Sequence, residues 1–352
     1  MKPRVALVSL RFHPAFAQLF IAYAQAFHEL EFDVDLLMAP QYRQFGELAS
    51  RAHCIDYRKD SRVTAYTHAV FLNASNDNLN LAVRLKARGT KVIYIYHEPL
   101  QAPFKILYTE GVWPTIKVTV AHCITIPMLK VAERVIVGSG YGLEVYNHRY
   151  LKYNSRVSYL PLIYDDEVGE GNELHMNHKQ YVSYIGTICR GHAFDQYVAV
   201  MRQSFIRQLD TRFLIASGVP IPESILKDKV IFRNRHLLTT MCGRTLTNDE
   251  INRCYAESLC VWNLYRRSTQ SGVLPKALMF GAAVIASRIG SFPEFITDGV
   301  NGRFACGNNS TAVLETIEEI RANIDKYAHN CRESFLQTFF YRSRLRELEM
   351  IL

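Results

Sequence analysis

The strongest constraint on the fold of this chain is an alternation of short apolar runs with helical segments. Arg4 to Leu10 is a nearly continuous apolar run, Ala15 to Leu30 carries apolar residues at helical spacing, and Asp33 to Met38 is apolar again. This order predicts a strand, a helix and a second strand parallel to the first. Three further apolar runs are predicted to extend the same sheet: Ala69 to Leu72, Lys91 to Tyr96 and Arg134 to Val137.

The alternation resumes in the second half of the chain. Residues 165–178 are acidic, contain glycine and are poor in large apolar side chains, so we interpret them as an interdomain linker. Helices are predicted at 194–208 and near 249–257, the second after a capping box formed by Thr247 and Glu250. Beyond Gly302 we expect two helices, at 310–327 and 333–350, and no further strand. Five strands are predicted in this half: 181–185, 212–216, 230–232, 259–262 and 283–286.

The sequence therefore predicts an α/β protein made of two Rossmann-like doubly wound domains. The first domain is expected at residues 1–164 and the second at 179–335. Doubly wound sheets bind ligands at the carboxyl ends of their strands, so we expect the two sets of carboxyl ends to face a central cleft. The fold alone does not assign the chemistry.

Composition limits the classes of partner. The chain has 352 residues and a formal net charge of +8, which favours nucleotide phosphates or an acidic membrane face as partners. Nucleic acid is not expected, because the sequence has no zinc finger, dense Lys/Arg block or ribonucleoprotein-type aromatic motif. No apolar run approaches the roughly 20 residues of a membrane-spanning helix and no secretory signal is recognised, so we expect a cytoplasmic protein. A dehydrogenase is disfavoured, because the glycine-rich run at 138–142 lacks the fingerprint's third glycine at Leu143.

The stretch from Ser268 to Ser287 is the best candidate for a ligand-binding segment. Small polar residues up to Gly272 precede an apolar helical run, which Gly281 ends before a buried strand at 283–286. A helix that opens at Gly272 presents backbone NH groups without helical partners, and the helix dipole adds partial positive charge there. Such a helix start is suited to binding a phosphate group.

This stretch resembles the donor-binding segment of retaining nucleotide-sugar glycosyltransferases of family 4, the glycosyl transferases group 1. That family has a B-type fold of two Rossmann-like domains, and its last helix crosses back onto the first domain, a role implied here for residues 336–352. The family's usual Glu-x7-Glu pair falls on Ser268 and Lys276, so the chain resembles a variant with Gln-Ser-Gly in place of the acidic loop. The matching residues are Gln270, Ser271, Gly272, Ala277, Gly281, 284–287, Gly290, Glu294, Asp298, Gly299 and Gly302.

The resemblance implies a set of donor-binding residues. Arg190 follows the predicted strand 181–185 and would bind the donor diphosphate and stabilise its departure, although a surface arginine is the alternative. Lys276 lies one helical turn beyond Gly272 and either reaches the phosphates or is a solvated lysine. Arg235, after the predicted strand 230–232, lies in the region that often surrounds the nucleobase. The full predicted set is Gly186, Arg190, Arg235, Ser268, Gln270, Ser271, Gly272, Val273, Lys276 and Glu294.

Other candidates lie in the first domain. His97 and Glu98 follow the predicted strand 91–96. His97 would orient the acceptor or donor sugar, and Glu98 would hold the His97 tautomer or contact a hydroxyl, so with Arg190 they are the predicted catalytic residues. A histidine that caps a strand is the alternative. Arg11 and His13 are predicted to contact the acceptor. Residues 103–130 are expected either at a lipid interface or in helix packing, because apolar residues alternate with lysines: Phe104, Trp113, Ile126 and Met128 among Lys105, Lys117 and Lys130.

We therefore predict a retaining glycosyltransferase that moves a hexose-type sugar from a nucleoside diphosphate sugar to a polysaccharide or lipid-linked oligosaccharide during glycan assembly. The expected partners are the nucleotide sugar, the glycan or lipid-linked acceptor, and an anionic membrane that the enzyme contacts peripherally. No metal or cofactor is expected, because basic side chains and a helix terminus replace a divalent ion in B-type folds. Two alternatives follow from the missing Glu-x7-Glu pair: a hydrolysing sugar-nucleotide epimerase, and a catalytically degenerate donor-binding subunit.

Overall fold

The chain forms two compact units in the computed structural model. The first unit comprises Met1–Asp165 and Thr338–Leu352, and the second comprises Asp166–Gln337. Most of the predicted linker, residues 169–177, lies outside the described residues. The structure describes residues 2–13, 16–44, 48, 53–54, 66–101, 103–168 and 178–352.

The first unit contains a parallel sheet of seven strands. They lie in the order β3-β2-β1-β4-β5-β6-β7, and all described pairs are parallel. The strands at both edges, β3 and β7, are too short to give a recognisable apolar run, so the sequence did not predict them. The strands are β1 (Arg4–Ser9), β2 (Asp33–Met38), β3 (His53–Cys54), β4 (His68–Phe71), β5 (Lys91–Ile95), β6 (Arg134–Val137) and β7 (Val157–Tyr159).

Helices cover both faces of this sheet, which is why its inner strands are continuously apolar. Ser75 and Ser139 cap two of these helices, since their hydroxyls accept hydrogen bonds from the backbone NH of Asn78 and Gly142. The helices are α1 (Phe16–Glu29), α2 (Asn76–Lys86), α3 (Pro103–Glu110), α4 (Val112–Val131) and α5 (Gly140–Arg149).

The second unit contains a parallel sheet of six strands in the order β10-β9-β8-β11-β12-β13. The strand order reverses at β8, which lies between β9 and β11, so the loops after β8 and β11 leave the sheet at a topological switch point. The strands are β8 (Tyr181–Ile185), β9 (Arg212–Ser217), β10 (Leu238–Cys242), β11 (Ser258–Asn263), β12 (Ala283–Ala286) and β13 (Gly302–Phe304).

Eight helices are described in or at the end of this unit. The predicted capping box is confirmed, because Thr247 and Glu250 exchange side-chain and backbone hydrogen bonds at the start of the helix that follows them. The helices are α6 (Phe194–Ile206), α7 (Glu223–Leu226), α8 (Lys229–Arg233), α9 (Asn248–Ala256), α10 (Val273–Met279), α11 (Phe292–Phe295), α12 (Ser310–Ala322) and α13 (Ile324–Thr338).

The predicted strand at 230–232 is wrong, because these residues lie in helix α8. Asp228 caps this helix and accepts hydrogen bonds from the backbone NH of Val230 and Ile231. Ile231 is the buried member of the short run, whereas Phe232 is exposed. A local cap therefore prevails over the strand preference of a β-branched run. The edge strand is β10, which follows a 3-10 turn at Arg235–Leu237.

The prediction for the end of the chain also needs correction. Gly302 begins the edge strand β13, where none was expected, and a Cβ at this glycine would lie 2.5 Å from the carbonyl oxygen of Val284 on β12. The two predicted helices are instead α12 and α13, a 3-10 turn at Tyr341–Arg344, and α14 (Leu345–Ile351). The final segment belongs to the first unit, where the hydroxyl of Tyr341 donates to Glu29 on α1 over 2.7 Å.

Candidate functional site

Three loops meet at the carboxyl edge of the second sheet. They follow β8, β11 and β12 and span residues 186–193, 264–272 and 287–291. Gly186 has a φ of 129°, and a Cβ there would lie 3.9 Å from the side chain of Val273. Gly290 has a φ of 55°, and a Cβ there would lie 1.7 Å from the carbonyl oxygen of Ser268. Both positive φ values favour glycine, and Gly290 also allows close contact between the loops after β11 and β12.

Buried polar atoms without partners lie at the end of β11 and in two of these loops. Asn263, Gln270 and Ser291 are 0%, 6% and 1% exposed. Asn263 Nδ2, Gln270 Oε1 and Ser291 Oγ make no hydrogen bond with any described residue. Each unpaired buried polar group costs about 1–3 kcal/mol. Three of them at the carboxyl end of β11 and in the loops after β11 and β12 indicate a site for a polar ligand.

The 268–272 loop holds its polar side chains close to the sheet. The Ser271 hydroxyl donates to Asn263 Oδ1 over 3.3 Å, and the Ser268 hydroxyl donates to the carbonyl oxygen of Gln270, also over 3.3 Å. Ser268 and Ser271 are both buried. Asn263 and Ser291 were not among the predicted site residues; their one sequence signal was a polar residue at or after the end of an apolar strand.

Arg190 lies in the loop after β8 and is exposed. Its carbonyl oxygen accepts a hydrogen bond from Arg266, whose guanidinium also makes two 2.7 Å hydrogen bonds to the carboxylate of Asp195. The hydrogen bonds from Arg266 lower the pKa of Asp195. This Arg266–Asp195 pair fixes the backbone of the loop, while the Arg190 guanidinium makes no hydrogen bond or ion pair with the described residues.

Helix α10 begins where the sequence predicted, because Gly272 directly precedes its first residue, Val273. Gly272 is exposed and has a φ of −76°, a conformation open to any residue, so the backbone does not require glycine here. No side chain caps the helix that begins at Val273. Glu294 is exposed on α11, which follows the third loop at the same edge of the sheet.

Lys276 is not a solvated helix lysine. Its side chain is 9% exposed, and its ammonium group lies 2.5 Å from Glu167 Oε1 and 2.8 Å from Asn252 Oδ1. The other carboxylate oxygen of Glu167 accepts 2.6 Å hydrogen bonds from Asn248 and Asn252 on α9. The structure gives the ammonium these partners in place of a phosphate, so we remove Lys276 from the donor-binding set.

Arg235 also lies away from the three loops. It precedes β10, whose first residue Leu238 pairs with Phe213 near the start of β9. Arg235 is therefore at the amino edge of the parallel sheet, opposite the carboxyl edge, and its guanidinium lies 5.1 Å from the ring of Phe232. Arg235 was predicted to bind the donor because the wrongly predicted strand at 230–232 would have placed it at a carboxyl end of the sheet.

In the first unit, His97 lies at the carboxyl end of β5 and stacks on Phe16, with ring centroids 4.8 Å apart. Burial lowers its pKa to about 4, against the opposing effect of a hydrogen bond with the backbone of Leu72. His97 is therefore neutral at pH 7. Its Nε2 is buried and makes no hydrogen bond with a described residue. Glu98 is exposed, and the orienting contact of His97 is with Leu72.

The loop after β1 brings Arg11 and His13 to the same edge of the first sheet. Tyr42 braces the loop, because its hydroxyl accepts from the backbone NH of His13 and lies 3.2 Å from Ser9 Oγ. Burial lowers the pKa of His13, and the positive charge of the nearby Arg11 lowers it further. The His13 ring packs on Phe16, 4.7 Å between centroids, so His13 and His97 flank the same phenyl ring.

Residues 179–323 match the family model described as glycosyl transferases group 1. The match lies within the second unit, includes Arg190 and the three loops, and confirms the prediction of a glycosyltransferase enzyme. No curated protein matches the chain in sequence.

Solved structures of low sequence identity share the whole fold. HepE from Anabaena, in complex with UDP-glucose, is 12% identical with a TM-score of 0.70 and covers 99% of this chain and 100% of its own. Sucrose-phosphate synthase from Thermosynechococcus elongatus is 14% identical with a TM-score of 0.68, covering 99% and 98%. WaaG, a glycosyltransferase involved in lipopolysaccharide biosynthesis, is 12% identical with a TM-score of 0.63, covering 99% of both chains. The predicted two-domain α/β fold of B-type glycosyltransferases is thereby confirmed.

The described residues contain neither a metal-binding cluster nor a membrane-spanning helix. No group of three or more His, Cys, Asp or Glu side chains in the described part of the chain is arranged to hold a metal ion. Among the helices that the structure describes, none has both the length and the apolar character needed to cross a membrane.

Proposed function

We propose that the chain transfers a sugar from a nucleoside diphosphate sugar, with retention of the anomeric configuration, to a polysaccharide or lipid-linked oligosaccharide. The observation that carries the donor assignment is the cluster of unpaired buried atoms on Asn263, Gln270 and Ser291. A hexose presents hydroxyl groups that can both donate to Gln270 Oε1 and accept from Asn263 Nδ2. The family match covers all three residues.

The diphosphate is assigned to Arg190 and the start of α10. The Arg190 guanidinium carries a permanent positive charge and can fork onto phosphate oxygens. The first backbone NH groups of α10 have no side-chain cap and supply further donors at the same edge of the sheet. Both groups stabilise the negative charge that grows on the leaving diphosphate, so we propose a reaction that needs no bound metal. HepE has been solved with UDP and with UDP-glucose, which makes uridine diphosphate sugars the first donors to test.

In the proposed reaction the acceptor hydroxyl attacks the anomeric carbon from the side that the diphosphate leaves. The bond from that carbon to the phosphate oxygen breaks, a glycosidic bond forms, and the leaving phosphate oxygen takes the hydroxyl proton. No protein nucleophile is required. We assign Arg11, His13 and His97 of the first unit to sugar binding; His97 is neutral at pH 7, so its buried Nε2 serves as a hydrogen-bond partner for a sugar hydroxyl.

The test is a panel of UDP-, GDP-, ADP- and dTDP-sugars, with thermal stabilisation of the full chain as the first readout. A ligand that binds only the native state raises its melting temperature by mass action. The stabilising donor is then incubated with and without a crude lipid-linked glycan extract, and release of the nucleoside diphosphate is measured. We expect release that depends on the acceptor.

The other outcomes separate the alternatives. Conversion of the sugar nucleotide without an acceptor would identify a sugar-nucleotide epimerase. Donor binding without release, even with the extract, would identify a donor-binding subunit. No stabilisation by any member of the panel would contradict the donor assignment itself.

A further inference from the structure

Helix α3 and the first half of α4 expose an unusual number of large apolar side chains. Trp113 is 74% exposed, Tyr108 86% and Phe104 69%. Seven of the sixteen large apolar side chains that are exposed in the described chain lie between Phe104 and Val120. Such a concentration of exposed apolar side chains marks an interaction site. We call it the apolar face, defined by Phe104, Leu107, Tyr108, Val112, Trp113, Ile116 and Val120.

Packing within the unit does not account for the apolar face. The second half of α4 is anchored to the domain, where Thr125, Met128 and Leu129 are buried. In the first half, Val112, Ile116 and Val120 remain 60%, 47% and 62% exposed. The predicted alternative of helix packing therefore holds for Met128 but not for Trp113. The exposed face of α4 continues through Thr119 and Cys123 to Lys130 at helical spacing.

A basic groove lies beside the second half of α4. It has a volume of about 750 Å³ where His122 of α4 faces His148, Arg149 and Lys152. A second stretch of the groove shares Lys152 with the first and adds Lys86, Lys130 and Arg156. The carboxylate in the lining belongs to Glu133, which lies 3.9 Å from Arg156 in an exposed pair. We call this the basic groove.

Cations outnumber carboxylates in the described lining of the basic groove. The ammonium groups of Lys130 and Lys152 lie 5.8 Å and 5.1 Å from the centroid of the Tyr153 ring. Arg149 Nη1 is buried and makes no hydrogen bond with a described residue. Like charges that line one groove repel each other, and a bound anion relieves this repulsion. The groove therefore fits a ligand that carries several negative charges.

We infer that the apolar face and the basic groove together dock this unit on an anionic lipid bilayer. The apolar face supplies exposed Trp and Tyr side chains, which favour the boundary between headgroups and acyl chains. The groove supplies the positive charge that attracts anionic headgroups. Residues 104–130 contain a single carboxylate, Glu110, beside Lys105, Lys117 and Lys130. Charge complementarity therefore favours an anionic bilayer over a second copy of this basic chain. This inference stands apart from the donor assignment, because it needs no nucleotide sugar.

The fluorescence of Trp113 can report contact between the apolar face and a bilayer. Its two tryptophans are Trp113, which lies on the apolar face, and Trp262, which is 1% exposed in the core of the second unit. Insertion into a bilayer moves the Trp113 indole from water to an apolar medium, so its fluorescence shifts to the blue. The full chain, without donor, is titrated with vesicles of equal parts phosphatidylcholine and phosphatidylglycerol, and in parallel with vesicles of phosphatidylcholine alone.

We expect a blue shift and quenching by brominated acyl chains with the phosphatidylglycerol vesicles, and binding at least about tenfold weaker to phosphatidylcholine alone. Lys130→Glu with Lys152→Glu should remove most of that preference. Tyr108→Ser should weaken sedimentation with vesicles, whereas Phe232→Ser, at an exposed aromatic residue of the second unit, should not.

Two results would overturn the inference. Equal binding to both vesicle types, unchanged by the double substitution, would remove the role of the basic groove. The second result is the absence of both the fluorescence shift and sedimentation with vesicles. If that protein still binds its donor, or forms dimers through the apolar face, the apolar face has another occupant. Failure of the donor panel would leave the vesicle result standing, because the two measurements share no ligand.

Discussion

Lys276 and Glu167 form a buried ion pair, with Nζ and Oε1 2.5 Å apart and side chains 9% and 14% exposed. Glu167 lies at the start of the second unit, and Lys276 lies on α10, directly behind the 268–272 loop. Asn248 and Asn252 of α9 satisfy the remaining polar atoms of the pair. The pair therefore connects Glu167, where the chain enters this unit, to α10, the helix that follows the 268–272 loop of the candidate site.

Lys276→Met should destabilise the second unit strongly. The substitution leaves the Glu167 carboxylate buried without its cation, which costs about 3–5 kcal/mol in comparable pairs. Urea unfolding measures this loss. The double variant Lys276→Met with Glu167→Leu should recover much of it, because no buried charge is then left unpaired. A Lys276→Met protein of unchanged stability that has lost donor affinity would instead restore the phosphate-binding role to Lys276.

Gly290→Ala should disturb the site, whereas Gly272→Ala should fold normally. Gly290 has a positive φ, and its Cβ would meet the backbone carbonyl of Ser268, so the 268–272 loop must move at a cost of at least about 1–2 kcal/mol. Gly272 has a helical φ and is exposed. Melting temperatures of both variants, with and without donor, separate the two cases. Equal stability of the two variants would contradict the loop contact.

The stability of the first unit should fall as the pH drops below 6.5. Burial lowers the pKa of His97 to about 4, so between pH 6.5 and 4 the unfolded chain binds a proton that the folded chain does not. The stability that this histidine contributes is fully present above pH 6.5. About 1–2 kcal/mol of it is lost by pH 5. His97→Asn should show a shallower pH dependence in denaturant unfolding, and an identical slope would contradict the assignment.

Lys179→Met should destabilise the second unit without affecting the donor site directly. The buried Lys179 ammonium donates to the carbonyl oxygens of Ala256, Ser258 and Phe280, and burial lowers its pKa to about 8. Removing it leaves buried carbonyls unpaired, at about 1–3 kcal/mol each. Urea unfolding should detect the loss. Donor affinity measured under native conditions should remain that of the wild type, and a variant as stable as wild type would refute this structural role.

Much of the fold could be predicted from the sequence because buried parallel strands are apolar on both faces. Arg4 to Leu10 and Ala283 to Ala286 were recognisable for that reason alone. The errors occurred where local and tertiary preferences disagree: the Asp228 cap makes a helix of a β-branched run, and Gly302 begins a three-residue edge strand that has almost no pattern of its own.

The site was less predictable because it depends on which strand ends are neighbours. Gln270 and Arg190 were found through a family resemblance, and the structure brings their loops to one edge of the sheet. Asn263 and Ser291 appear only when burial and missing partners are known. Lys276 has the same sequence pattern whether it faces a ligand or a buried carboxylate, and only the position of Glu167 decides between them.

The most direct test compares two exposed arginines of the second unit that lie at opposite edges of its sheet. Calorimetric titration with the donor selected from the panel would be carried out on wild type, Arg190→Ala and Arg235→Ala. We expect Arg190→Ala to weaken donor binding by about tenfold to a hundredfold, as for loss of a charge-assisted phosphate contact, with an unchanged melting temperature. Arg235→Ala should bind like wild type. Wild-type affinity in Arg190→Ala, or an equal loss in Arg235→Ala, would contradict the assignment of the donor site to the carboxyl edge.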